Sequence, residues 1–132
     1  MFKKIIAVSL LTITLGTTAV FANSAANVKL LNIIGNQQIL SSSLLASYHK
    51  HEKHTALTTK IKSLRSGYAT LKSGIHDPEI NNLLVFLDIC LDELNAAMKK
   101  SYSSENAQIV ADLGASISEG NIYVSKVLKH HS

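Results

Sequence analysis

Apolar residues recur at alternating steps of three and four along most of this chain, a spacing that packed helices satisfy and strands do not. One segment places them at Ile80, Leu84, Leu87, Leu91, Leu94 and Met98. The next has Val110, Leu113, Ile117, Val124 and Val127, with Gly120 filling one seam position. Two earlier segments read Leu30, Ile33, Gln37, Leu40, Leu44 and Leu57, Ile61, Leu64, Tyr68, Leu71. No Asn-Gly or Asp-Gly hairpin turn occurs, and period-two runs are missing. The pattern predicts an all-α protein, an antiparallel up-down four-helix bundle with short connections.

The breaks between helices differ in clarity. In Ser73-Gly74-Ile75-His76-Asp77-Pro78-Glu79, Gly74 suits a helix end, Asp77 an N-cap and Pro78 the first helical position, where no amide donor is needed. Ser101 to Glu105 is a second break, with Ser103 or Ser104 as cap. Residues 36–66 contain neither Gly nor Pro. Phase decides there, because Leu44 and Leu57 would fall on different faces of one helix. A turn is expected within the polar stretch His49–Thr55.

Ahead of the helices stands an export address. Met1-Phe2-Lys3-Lys4 is a basic start, Ile5 to Val20 an apolar stretch diluted by threonines, and Val20-Phe21-Ala22 a small-residue cleavage site. The apolar run is shorter and more polar than a bilayer span of ~20 residues. Residues 1–22 are therefore expected to be a cleaved signal peptide, and residues 23–132 a periplasmic or secreted domain. Cleavage would leave 11 of the 13 basic residues against nine acidic ones, a net charge of +2. Lysines are scattered, so no basic stripe supports nucleic-acid binding. One cysteine excludes a disulfide framework and a four-cysteine zinc site. Cys90, inside the third helix, reads as a buried inert thiol, with an intermolecular disulfide as the rival. That helix also carries Leu83, Val85, Phe86 and Ile89, so it is either a fully covered central helix or one that meets a second subunit.

No nucleophile–base spacing, paired-carboxylate motif or phosphate loop is present, and Asp88, Asp92 and Glu93 read as a solvated helix edge. The chain reads as a non-enzyme. No cofactor is expected, since no histidine sits at a core helical position where it could hold haem with Met98. His49, His51 and His54, with Glu52 beside them, could bind zinc or copper if a turn gathers them; otherwise they are solvated end residues. His76, His130 and His131 form a second group, which an up-down bundle places at the opposite end.

The first helix has two adjacent seams: Leu30, Ile33, Gln37, Leu40, Leu44, and Leu31, Ile34, Gln38, Ser41, Leu45, Tyr48. The first is expected to face its own bundle and the second a partner. Gln37, Gln38 and Ser41 interrupt both midway, and a buried amide without a partner costs ~1–3 kcal/mol. Gly35 removes a side chain one turn earlier. Such a patch is either a polar layer that sets helix register or a small-ligand site.

The run Asn32-Ile33-Ile34-Gly35-Asn36-Gln37-Gln38-Ile39-Leu40-Ser41 resembles the opening of the N-terminal periplasmic domain of nitrate/nitrite sensor kinases (NarX-like) and type IV pili methyl-accepting chemotaxis transducers (PilJ-like). That family runs roughly N-x-x-G-x-Q-R-M-L-S-Q-R. Asn32, Gly35, Gln37, Leu40 and Ser41 match; Asn36, Gln38, Ile39, Ser42 and Ser43 depart. Asp77-Pro78-Glu79-Ile80 looks like the family's start of the third helix. The resemblance implies a dimeric four-helix bundle and a sensor role, with Asn32, Gly35, Gln37, Gln38 and Ser41 as candidate ligand contacts. In nitrate-sensing members an arginine of the motif contacts the anion across the dimer interface. Gln38 stands in its place without charge, which argues against nitrate as the ligand. The expectation is a freestanding, exported, sensor-like homodimer that binds a small polar or anionic ligand and hands occupancy to a membrane-bound signalling partner. The alternative is an exported metal-binding or stress-type protein working through its histidine ends.

Overall fold

The computed structural model describes residues 25–130; the expected signal peptide, residues 1–22, lies outside them. All regular structure among the described residues is helical: α1 Ala25–His49, α2 His54–Gly74, α3 Pro78–Lys99 and α4 Ser104–His130. Each helix packs on the two beside it in a closed ring, α1 on α2 and α4, and α3 on α2 and α4. Contacts fix the directions. Leu30 lies against Gly74, while Lys60 Nζ donates to Ser47 Oγ at 3.0 Å, so α1 and α2 run antiparallel. Leu87 meets Gly120 and Ala97 meets Asn106, so α3 and α4 do too. None of these helices is long and apolar enough to cross a membrane.

The helix ends follow the local chemistry of the sequence. Asp77 Oδ1 accepts from Glu79 N (2.9 Å) and Ile80 N (3.1 Å), and Pro78 takes the first helical position. Ser103, rather than Ser104, caps α4 by accepting from Asn106 N at 3.0 Å. The turn between α1 and α2 occupies residues 50–53, within the stretch expected. There Glu52 N donates to Ser47 O (3.1 Å) and His51 N to Tyr48 O (3.0 Å), the paired bonds of a Schellman cap. His51 takes the left-handed position of that cap (φ 59°), usually a glycine's. A side chain there costs about 1–2 kcal/mol.

The seams of α2 and α3 are buried at every expected position. In α4, Leu113 is only partly buried and the rest of the seam is inside. The first helix differs from expectation. Its core stripe is Leu30, Ile34, Gln37, Ser41, Leu44 and Tyr48, which takes members from both seams. Ile33 and Leu40 are half-buried. The reason is that α1 sits between α2 and α4, so its inward direction falls between the two seams. Ile34, Ser41 and Tyr48, expected to face a partner, point into their own bundle instead. Helix α3 also splits its excess apolar residues. Cys90 is buried and Leu83 and Phe86 pack against the core, whereas Val85 and Ile89 are half in solvent.

Leu87 is fully buried, and its Cδ2 would lie 2.6 Å from a Cβ added to Gly120. The glycine thus makes the room that the leucine fills. Leu87→Ala should lower unfolding free energy by ~2–5 kcal/mol, read from urea midpoints. A loss below about 0.5 kcal/mol, the range of surface substitutions, would mean that this contact is not in the core.

Candidate functional site: the polar layer of α1

Midway along α1, three polar side chains meet α2 and α4. Gln37 is 2% exposed, and its Nε2 donates to Leu64 O at 2.7 Å. Leu64 O is a helical carbonyl that accepts a second donor through its other lone pair. The amide fits only because residue 67 is glycine, since a Cβ there would collide with Gln37 Oε1. Gln38, one residue on, turns toward α4. Its Nε2 donates to Ser118 Oγ (2.7 Å) and its Oε1 accepts from Asn121 Nδ2 (3.0 Å). Asn121, 1% exposed, accepts in turn from the Tyr68 hydroxyl at 2.5 Å. Ser41, also buried, donates to Gln38 O at 3.0 Å. One chain of bonds therefore links α1, α2 and α4.

The motif residues divide between two faces. Gln37 and Ser41 are inside and Gln38 lies at the edge, while Asn32 and Gly35 are exposed. A Cβ on Gly35 would have no neighbour within 4 Å in this chain. The fold therefore brings Gln37, Gln38 and Ser41 together and leaves Asn32 and Gly35 on the outer surface. Sequence reading missed Gly67, Tyr68, Ser118 and Asn121 as members of the layer. Asn121, a polar residue between Ile117 and Val124, was the available signal.

His49, His51 and His54 lie near one another but do not converge. His49 Nδ1 lies 3.4 Å from the Tyr102 hydroxyl, the His51 ring is tilted against Tyr102 at 4.1 Å between centroids, and His54 Nε2 is 3.2 Å from Thr58 Oγ1. Among the described residues, no three His, Cys, Asp or Glu side chains are grouped to hold a metal ion. The Schellman turn is the reason: it aims His49 and His51 at Tyr102 while His54 starts the next helix. Asp92 and Asp88 pair across the α2–α3 contact with Arg65 and with Lys72, the latter at 2.5 Å.

Three buried acids of high pKa complete the interior. Burial, then the Glu93 charge, pushes the Cys90 thiol from 9.0 up to about 11. Tyr123 has no hydrogen-bond partner for its buried hydroxyl; burial, then Glu79 and Asp77, raises it from 10.0 to about 12. Burial also raises Tyr68, against the pull of its Asn121 bond. No family model matches this chain, and neither curated proteins nor solved structures provide a match.

Two outcomes follow from this interior. Asn121→Ala removes the acceptor of Tyr68 and the donor to Gln38, each worth ~1–3 kcal/mol when left unpaired. A double-mutant cycle with Tyr68→Phe should then show coupling above ~0.5 kcal/mol; additive losses would mean the bond contributes nothing. The raised acids also set an alkaline limit. The neutral forms of Cys90 and Tyr123 are favoured in the folded state, so their contribution is complete below pH 9.0 and is lost as pH climbs toward about 11 to 12. Urea midpoints measured across that interval should fall. A flat profile would overturn this assignment.

Proposed function

We propose that the chain is an exported, non-catalytic, sensor-like module that works as a homodimer through the outer face of α1 and binds a small polar or anionic ligand at its edge. The observation that carries this reading is the composition of that face. Between Ala25 and His49, Lys29 is the only lysine, arginine, aspartate or glutamate in 25 residues. The exposed positions Val28, Asn32, Gly35, Ile39, Ser42 and Ala46 repeat at four and three, the spacing of a helix–helix seam. Ile39 is 69% exposed and Val28 45%. A solvated face normally carries charges; this one is apolar, small or amide-bearing, and Gly35 leaves room for a second backbone.

The partner face is thus the Asn32–Gly35–Ile39 stripe, one position over from the seam that periodicity alone suggested. Support from the motif is consistent with this placement, because Asn32 and Gly35, two residues of the NarX-like and PilJ-like resemblance, lie on the stripe. Gln38 flanks it with an amide already engaged by Ser118 and Asn121. A ligand that recruits Gln38 must displace those bonds, which ties occupancy to how α1 sits against α4. That coupling is what a membrane-bound signalling partner would read.

Ile39→Arg is the direct test. Its side chain is mostly in solvent, so stability should change by no more than about 0.5 kcal/mol. Sedimentation equilibrium should give a dimer for the wild type and a monomer for the variant. A wild-type monomer at high concentration, or an unchanged dimer in Ile39→Arg, sinks the reading. Intact mass of the exported product should show a chain beginning at Asn23; retention of Met1 would exclude the cleaved leader.

A further inference from the structure

The bundle end that holds the α1–α2 and α3–α4 turns carries an open cavity of about 270 Å³. Its floor is Tyr48, Leu57 and Met98, all buried. One wall is the pair of rings His51 and Tyr102, 4.1 Å apart and tilted by 37°. Tyr48 backs that wall, its ring 5.2 Å from Tyr102. The rim bears Lys99, Lys100 and His54, against a single acid, Glu52. Neither lysine has an ion-pair partner among the described residues.

We propose that this cavity binds a small organic anion with a flat apolar body, of the class of aromatic carboxylates. The floor and the ring wall take the body, and Lys99 and Lys100 take the charge. Three features carry the assignment. The cap that ends α1 is made by the backbone amides of His51 and Glu52, so the His51 imidazole adds nothing to it. That imidazole nevertheless occupies a left-handed position where glycine is the unstrained residue, and its ring forms the cavity wall. A strained side chain in such a place points to function rather than folding.

Charge decides the sign of the ligand. With two lysines and one glutamate on the rim, a cation is repelled and an anion attracted. Helix α2 begins beside the rim with Lys53 at its N-cap, no side-chain bond to the first-turn amides and no acid in its first turn, so the positive end of its dipole adds to the rim's charge. Size sets the rest. The volume lies just under the ~300–1,000 Å³ of drug-sized pockets, which suits one or two fused rings. The site is separate from the outer face of α1, so it stands whether or not the chain dimerises there.

The test uses the untagged full chain and 2-naphthoate, with uncharged 2-naphthamide as control, followed by amide chemical shifts. Saturable shifts should cluster in residues 48–57 and 98–102, and naphthoate should bind about tenfold or more tighter than naphthamide. Lys99→Ala/Lys100→Ala should remove that advantage. His51→Gly relieves the left-handed strain, so its unfolding midpoint should equal or exceed the wild type's while naphthoate affinity falls about threefold to tenfold. Because that variant folds at least as well, a loss of binding cannot be a loss of structure. The proposal is overturned if naphthoate does not saturate, if naphthamide binds equally well, or if either variant keeps wild-type affinity. It is also overturned if Zn²⁺ or Cu²⁺ shifts the same amides and naphthoate does not.

Discussion

The placement of α1 depends on buried amides. A helix with almost no charge and apolar residues on most sides could rotate about its axis with little change in buried area. Directional bonds remove that freedom. Gln37 must reach Leu64 O through the gap left by Gly67, while Gln38 must meet Ser118 and Asn121 on α4. Adjacent residues on one helix turn differ by about 100°, so the two amides grip α2 and α4 from one rotational setting. A one-residue rotation would strand both, at ~1–3 kcal/mol for each unpaired group.

The other helices rely on a different division of labour. Helix α2 carries Lys60, Lys62, Arg65 and Lys72 with no acid, and α3 carries Glu79, Asp88, Asp92 and Glu93 against one Lys99. Arg65–Asp92 and Lys72–Asp88 bridge their contact. These pairs are partly exposed and worth little each. Their effect is on pairing: opposite charge sets α2 against α3 and leaves α1, whose one lysine is Lys29, to be held by hydrogen bonds. The same scarcity of charge is what the proposed pairing with a second copy rests on.

The two proposed sites lie where folding alone gives no reason for the residues present. One is the uncharged stripe through Asn32, Gly35 and Ile39. The other is the turn at His51, where a ring replaces the glycine that the backbone prefers. Both lie on α1 or at its end, so a ligand at either proposed site would bear on the helix whose position the polar layer defines.

Much of the fold was legible in the residues themselves. The three–four spacing, the Asp77–Pro78 start, the serine cap of α4 and the phase break near His49 are local properties, and local chemistry is what a sequence carries directly. The polar layer was half legible. Gln37, Gln38 and Ser41 stood out as polar interruptions of apolar seams, but Gly67, Tyr68, Ser118 and Asn121 did not, because their bonds join residues 27 to 83 positions apart. Which side of α1 faces inward was decided only by tertiary structure. Two adjacent seams offered nearly equal apolar surface, and hydrophobic burial has no direction with which to choose between them. The choice came from hydrogen bonds to α2 and α4, whose geometry exists only once the helices are packed.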